Sequence, residues 1–418
     1  MATAAIQPVC ASRCRFCGSP LERSVVDLGA QPPSNSYLRP ADLSRMEPFF
    51  PLHAFVCTSC LLVQLEAFQS PDEIFGDYAY FSSYSESWLR HAEAYCAAMT
   101  ERFALGHHSR VVEVASNDGY LLQYFVRRGV PVLGVEPAAN VARAAEQKGV
   151  PTRVAFFGRA SAAALVADGF AADLLVGNNV LAHVPDLNDF VAGLRIALKP
   201  EGVLTMEFPH LLRLIEDNQF DTIYHEHFSY FSFLTAERIF AAHGITLFDV
   251  EALPTHGGSL RIYGCRAEAG RLPQERVHAL KARERAAGLD GLDAYDGFGE
   301  RVKAVKRRLL AFLIEARDGG KSVAAYGAAA KGNTLLNYCG IGPDMIDYVA
   351  DASPHKQGLC LPGSHIPVVA PDHIARTRPD FLLILPWNLT DEIIAANAHI
   401  RSWGGRFVTP IPAVRVIP

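Results

Sequence analysis

The sequence predicts an α/β protein built from a small cysteine-bearing lobe, a parallel-sheet core and a second α/β unit. Three observations carry this. Two Cys-x-x-Cys pairs, Cys14/Cys17 and Cys57/Cys60, stand near the N-terminus. From about residue 109, short apolar runs alternate with helix-length segments, the signature of a parallel sheet. The alternation pauses at a charged, Ala-rich stretch, 268–318, and resumes at Val323. A chain of 418 residues also exceeds one ordinary core, which suggests about two to three domains.

Composition bounds the function. Half the residues are hydrophobic and a fifth charged, as in globular proteins. The formal net charge of −5 argues against a nucleic-acid surface. The longest apolar runs, such as Phe381–Leu385 before Pro386, fall far short of the roughly 20 residues that cross a bilayer. Met1-Ala-Thr-Ala-Ala-Ile6 has no basic start and no apolar core of a secretory signal, so a cytoplasmic protein is expected.

Taken in order, the paired cysteines come first. Each Cys-x-x-Cys knuckle offers two thiolates to one metal ion, and two knuckles complete a tetrahedron. Cys14, Cys17, Cys57 and Cys60 are therefore read as a closed, structural zinc site, with the Pro-rich stretch between the pairs looping out. The other cysteines (Cys10, Cys96, Cys265, Cys339, Cys360) are scattered like buried structural thiols. A hydroxyl-rich stretch, Asp77–Ser85, precedes a helix expected over Trp88–Phe103.

Strands are expected at Val111–Ala115, Val132–Glu136, Asp173–Gly177 and Gly202–Glu207, with helices at Tyr120–Arg128 and Leu187–Leu198. Ligands of such sheets bind at the carboxyl ends of the strands. The residues so placed are Glu113 in the first strand with Ser116, Asn117, Asp118, Gly119, Tyr120 and Leu121 after it, Glu136 at the end of the second with Pro137 after it, and Asn178 and Asn179 after the third. An acid at the second strand end suits ribose hydroxyls. The first turn has one glycine where a pyrophosphate-binding turn would have three, which suits a nucleoside cofactor without phosphates, S-adenosylmethionine.

Tyr224-His-Glu-His-Phe-Ser-Tyr230 then packs two imidazoles, a carboxylate and two phenols between apolar flanks, a concentration of proton-transfer groups. His183, after the third strand, is a second source of imidazole for the same sheet edge. His256-Gly-Gly-Ser259 makes a turn into a further strand. Residues 268–318 read as one or two helices, with Val302, Val305, Leu309, Phe312 and Leu313 at helical spacing. Strands at Val323–Gly327, Ile346–Ala350, Phe381–Leu385 and Arg406–Thr409 form the second unit. Its turn Gly327-Ala-Ala-Ala-Lys-Gly332 lacks the lysine placement of a phosphate loop and the middle glycine of a dinucleotide fingerprint. Its backbone N–H groups and Lys331 are expected to face an anion, a phosphate of the substrate; a purely structural turn is the rival.

These motifs in this order resemble the dTDP-sugar C-methyltransferases that build branched deoxysugars. The likeness covers Leu61–Leu65 beside the cysteines, Tyr78–Ser85, Glu113–Gly119, Gly134–Pro137, Tyr224–His227, His256–Arg261 and Gly327–Asn333. It implies a zinc-binding domain over 1–72, a Rossmann-like class I methyltransferase domain over 73–265, and a Rossmann-like α/β domain over 266–418 that helps hold a sugar nucleotide. It makes His227 the base, sets Tyr224 and Glu226 beside it, and lines the sugar site with Tyr78 and His183. Lys331 and Asn333 become contacts for the nucleotide sugar, dTDP-linked or alternatively GDP-linked, in a monomer or weak dimer. The implied chemistry is proton removal from C-3 of a 4-keto sugar, an enolate stabilised by Tyr224, Tyr78 or His183, and methylation of carbon. Two rivals are a nucleotide-sugar oxidoreductase using NAD(P) at Gly327–Asp351 and a non-catalytic sugar-nucleotide-binding protein.

Overall fold

The computed structural model describes residues 12–70, 82–84 and 86–418. Its centre is a seven-stranded sheet in the spatial order Ile245–Leu253, Ser259–Arg266, Leu198–Pro209, Ala172–Asn178, Val111–Val114, Val132–Glu136, Thr152–Val154. The last five are parallel to one another, and the first two join antiparallel at the edge. Val111–Val114 and Val132–Glu136 are buried at every position. Parallel strands covered on both faces read as largely apolar runs, here broken only by the buried Glu113, Gly134 and the terminal Glu136, which is why the sequence reveals them.

The chain reverses direction across the sheet between Val111–Val114 and Ala172–Asn178, the place where ligands of such folds bind. Edge strand Ile245–Leu253 escapes sequence reading because Asp249 sits fully buried within it. Arg102 and Arg276 pair with that carboxylate from two helices, an arrangement no local pattern announces.

The charged stretch divides into two helices, Glu275–Ala286 and Phe298–Asp318. The second buries Phe298, Val302, Val305, Leu309, Leu313 and Ala316, one stripe at three- and four-residue spacing. Phe312, included in the expected series, is only partly buried beside it.

The C-terminal sheet runs Val368–Val369, Val349–Ala350, Val323–Tyr326, Phe381–Ile384, Arg406–Thr409, Arg415–Ile417, parallel except for the last pair. The strand expected at Ile346–Ala350 shrinks to Val349–Ala350.

The N-terminal lobe departs most from expectation. Its antiparallel strands Arg23–Gln31, Phe50–Val56 and Val63–Leu65 are extended by a fourth, Ser229–Tyr230, from the middle of the chain. The Pro-rich stretch does not loop out. It folds back on the C-terminal unit, where Leu38 bridges Cys360 and Glu47 accepts hydrogen bonds from Gly363 N (2.8 Å) and His365 (3.0 Å). One apolar core accordingly contains side chains of the lobe sheet, the 211–230 segment and the C-terminal sheet together.

Gly327 ends the first C-terminal strand at φ +91°, and a Cβ there would lie 2.4 Å from Pro386. Both the backbone conformation and the space require glycine. Gly327→Ala is expected to destabilise the protein by about 1–3 kcal/mol in equilibrium denaturation; an unchanged midpoint would show that this turn can relax.

Candidate active site

The cysteine cluster forms as expected. The ligand atoms of Cys14, Cys17, Cys57 and Cys60 all lie within 4.8 Å of one another, with Cys14–Cys60 and Cys17–Cys57 sulfurs 3.5 Å apart. A tetrahedral zinc with bonds near 2.3 Å wants sulfurs about 3.8 Å apart, so the set fits zinc and leaves no open position. Both knuckles turn back through left-handed residues, Gly18 at φ +75° and Leu61 at φ 64°. Gln64 ties the cluster to the rest: its amide nitrogen donates to Cys14 Sγ (3.2 Å) and its oxygen accepts from Arg15 N (2.9 Å). Its backbone register pairs it with Ser229.

At the carboxyl ends of the central sheet the expected nucleoside residues converge. Asn117 and Gly119 take positive φ, 50° and 74°, to turn the chain after the first strand. Glu136 accepts from the backbone N–H of Asn117 and of Ala138, both at 2.9 Å, so its carboxylate is fixed at the strand end. Ser116 sits against Gly134, where a Cβ would come within 2.4 Å of its oxygen. Asp118 pairs with Lys148 at 2.8 Å. Tyr120 and Leu121 are buried below the turn, whereas Pro137 keeps the partly exposed rim of the second strand end.

Asn178 is buried with neither amide atom bonded, and Glu113 Oε2, Ser116 Oγ and Asp118 Oδ1 are likewise buried without a partner. Buried polar groups are nearly always satisfied, so this set fits a ligand with its own donors and acceptors. Burial, then the charges of Glu136 and Asp118, push the Glu113 carboxyl well above the ordinary range.

Sequence reading missed Trp88, which stacks on His91 (4.9 Å between centroids) and Tyr120 (6.0 Å) and meets His256 edge-on (5.3 Å). His256 lies within 3.4 Å of the Asn179 amide. His91 in turn contacts Glu207, which is buried against Arg261.

The tyrosine–histidine turn closes the crevice. His227 Nδ1 donates to the Thr222 carbonyl (3.0 Å), leaving Nε2 as the acceptor of the Tyr224 hydroxyl (2.9 Å). The two rings lie 4.0 Å apart, and His183 meets His227 edge-on at 4.7 Å. Burial, then the neighbouring His183, hold the His227 imidazole well below its ordinary pKa. Burial likewise pushes His183 down to about 4, opposed by a hydrogen bond to the Glu226 backbone. Both rings are therefore neutral at physiological pH.

His225 points away from this group. Its Nε2 donates to Pro51 O (3.2 Å) and its ring meets Phe50. Glu226 also differs from the reading in which it orients the imidazole: its Oε1 accepts from Asn35 of the lobe at 2.6 Å, and Thr222 and Tyr224 hold His227. Burial raises Glu226 to about 7. Tyr78 lies outside the described residues.

From the C-terminal unit, Lys331 bonds Asn388 Oδ1 (2.7 Å) and stands 4.7 Å over the Trp387 ring. Burial lowers its pKa while Asp221 opposes the shift. Asp221, fully buried, accepts from Trp387 Nε1 (2.7 Å), and its other oxygen has no partner. Asn333 donates to Ser34 O, leaving its own oxygen buried and unbonded. Asp221, Trp387 and Asn35 carried no sequence signal, because each acts on a distant segment.

Family models match three parts of the chain: "Putative zinc binding domain" over residues 14–75, "Methyltransferase domain" over 88–250 and "C-methyltransferase C-terminal domain" over 254–412. The C-methyltransferase NovU of Streptomyces niveus is 37% identical over 415 residues, covering 99% of this chain and 98% of that protein. Among solved structures, the PH0226 protein of Pyrococcus horikoshii OT3 covers 48% of this chain and all of its own, at 16% identity and TM-score 0.36. Magnesium protoporphyrin IX methyltransferase of Synechocystis PCC 6803, with bound SAM, covers 43% of this chain and 79% of its own, at 15% identity and TM-score 0.33. Among the described residues, no helix is long and apolar enough to cross a membrane.

Two outcomes follow from this geometry. Glu226 has a folded pKa near 7 against an unfolded value near 4.5, so its protonated form stabilises the fold at low pH, and that stabilisation disappears as pH rises through 7. Glu226→Gln is therefore expected to melt higher than wild type at pH 8, by on the order of 2–3 kcal/mol, with the gap closing towards pH 5; a pH-independent difference would contradict the assignment. Zinc removal, by chelation or Cys60→Ser, is expected to speed amide hydrogen exchange at residues 57–65 and also at 227–230. Unchanged exchange at 227–230 would sever the link through Gln64.

Proposed function

The chain belongs to the S-adenosylmethionine-dependent C-methyltransferase family, and from that premise we propose that it methylates C-3 of a nucleotide-linked 4-keto-deoxysugar. The observation that carries this reading is the neutral Tyr224–His227 pair, with its imidazole tautomer set by Thr222, at the edge of a nucleoside-binding crevice. Methylating carbon requires first removing a proton from it. A carbon beside a ketone is acidic enough only when a base stands ready and the enolate oxygen is stabilised.

His227 is the acceptor of that proton. Its Nδ1–H is committed to a carbonyl, so Nε2 is the basic atom, and Tyr224 occupies it in the resting protein. When the sugar displaces the Tyr224 hydroxyl from Nε2, Nε2 takes the C-3 proton and the freed hydroxyl donates to the C-4 oxygen. The C–H electron pair becomes the enolate, with the negative charge on the C-4 oxygen. His183, edge-on to His227, takes the sugar side of this pair.

When bound, S-adenosylmethionine supplies the electrophilic methyl for the enolate carbon. Glu136 would hold its ribose, while Asn178 and the polar atoms of Ser116 and Asp118 would meet its remaining donors and acceptors. Lys331 and Asn333 face the nucleotide portion of the sugar substrate, for which dTDP is the first choice and GDP the second.

The oxidoreductase reading finds little support in the Gly327 turn. Ala328 N–H is taken by Asp351 (2.7 Å), and the Ala328 carbonyl accepts from both Tyr37 (2.5 Å) and Lys356 (2.6 Å). Protein groups fill the turn where a dinucleotide would lie.

The test is to incubate the protein with S-adenosylmethionine and a panel of dTDP- and GDP-linked 4-keto-deoxysugars and to examine products by mass and NMR. One added methyl on C-3 is expected. A methyl on C-5, the other carbon flanking the ketone, would overturn the position, and one on oxygen or nitrogen would overturn the enolate. His227→Asn is expected to lower kcat about 10²–10⁴-fold without loss of cofactor affinity; full activity in that variant would remove His227 as base.

A further inference from the structure

We propose that Asn35, carried by the zinc lobe, is a positioning residue for methyl transfer: its amide holds the Glu226 carboxyl in place and in its ionised form at the crevice. The inference deepens the function proposed above and rests on it.

The loop that carries Asn35 is fixed on both sides of it. Ser34 O accepts from Asn333, the Tyr37 hydroxyl donates to Ala328 O, and Leu38 bridges Cys360. Between these anchors Asn35 is exposed, and its Nδ2 reaches the buried Glu226 Oε1 at 2.6 Å. Among the described residues, Asn35 is the side chain that hydrogen-bonds this carboxyl. An N–H aimed at a carboxylate favours the charged form and opposes the effect of burial. The other titratable groups around Glu226 are Tyr37 from the same loop, His183 on its backbone, and His225 and His227 on its own turn. His225 faces Phe50 and Pro51, and His183 and His227 are neutral, so none supplies a compensating positive charge. Because Asn35 is exposed, replacing it removes the donor without opening the core.

The experiment uses the full-length, zinc-loaded protein and compares Asn35→Leu, Asn35→Gln and Glu226→Gln with wild type. Turnover on this proposal requires the ionised carboxylate of Glu226, the residue before His227, so in the pH profile of kcat wild type is expected to lose activity as pH falls through about 7. Losing the Asn35 donor moves that limb upward. Asn35→Leu then approaches the wild-type rate at pH 9 and falls about tenfold below it at pH 6, one unit of pKa being one factor of ten. Asn35→Gln, which retains an amide donor, returns the limb towards wild type, and Glu226→Gln lacks it. A uniform fall of kcat in Asn35→Leu with the limb unmoved would mean a merely structural role and overturns the proposal. A limb that persists in Glu226→Gln overturns it too.

Isotope-edited infrared titration of the resting protein, with Glu226→Gln as the difference reference, reads the Glu226 carboxyl without any substrate. An upward shift of its midpoint in Asn35→Leu supports the coupling even if no sugar of the panel is methylated, in which case only the proposed reaction fails. An unmoved midpoint overturns the coupling whatever the panel gives.

Discussion

Two residue pairs, Val63 with Tyr230 and Gln64 with Ser229, join the zinc lobe to the segment that ends the tyrosine–histidine turn. The rest of the site depends on this short ladder. Gln64 bonds a zinc-ligand sulfur through its side chain while its backbone lies in register with Ser229. One residue further on, Leu65 N donates to Phe228 O, and Phe228 N donates to Ala182 O beside His183. Hydrogen bonds, joined by short stretches of backbone, therefore lead from the cysteines to the segments that carry His183 and His227. Structural zinc stabilises folding directly, and the lobe sheet it anchors is hydrogen-bonded to the end of the tyrosine–histidine turn.

Burial governs the electrostatics of the crevice. His183 and His227 are held neutral, whereas Glu226 and Asp221 are pushed up to about 7 and about 6. Desolvation is the leading cause in all four: it keeps the two imidazoles neutral and brings the two carboxyls to titrate close to neutral pH. This suits proton removal from carbon. A neutral imidazole with its tautomer fixed by a carbonyl is a ready acceptor, and a poorly solvated enolate oxygen gains most from each hydrogen bond aimed at it.

The C-terminal unit has a parallel sheet whose first strand-to-helix turn is occupied by the protein's own groups. Its strand-to-helix turn keeps the glycine needed for tight passage beneath Pro386, and it keeps the acid Asp351 at the second strand end. The space above is filled by Tyr37 and Lys356, one from the zinc lobe and one from the unit itself. Further on, Asn333 and Thr334 instead bond the lobe and the central unit, at the Ser34 carbonyl and at the Ile223 carbonyl just before the tyrosine–histidine turn. The core of this unit is continuous with that of the lobe.

The sequence by itself determined whatever depends on neighbours along the chain. Parallel strands buried on both faces are mostly apolar, so Val111–Val114, with the buried Glu113 inside it, and Val132–Glu136, with Glu136 at its end, could be read directly. A knuckle sets its two sulfurs over four residues, so the zinc set was legible as well. The concentration of acid–base groups at Tyr224–Tyr230 was also visible, but their roles were not. Whether His225 or His227 faces the crevice depends on whether the acceptor is Pro51 or Thr222. Glu226 takes its partner from 191 positions away and Asp221 from 166. A hydrogen bond across such a separation leaves no periodicity or spacing in the chain. Only the packing of three units around one crevice brings Asn35, Trp387 and Lys331 to it, because burial there forces each polar group to find whichever partner the fold supplies.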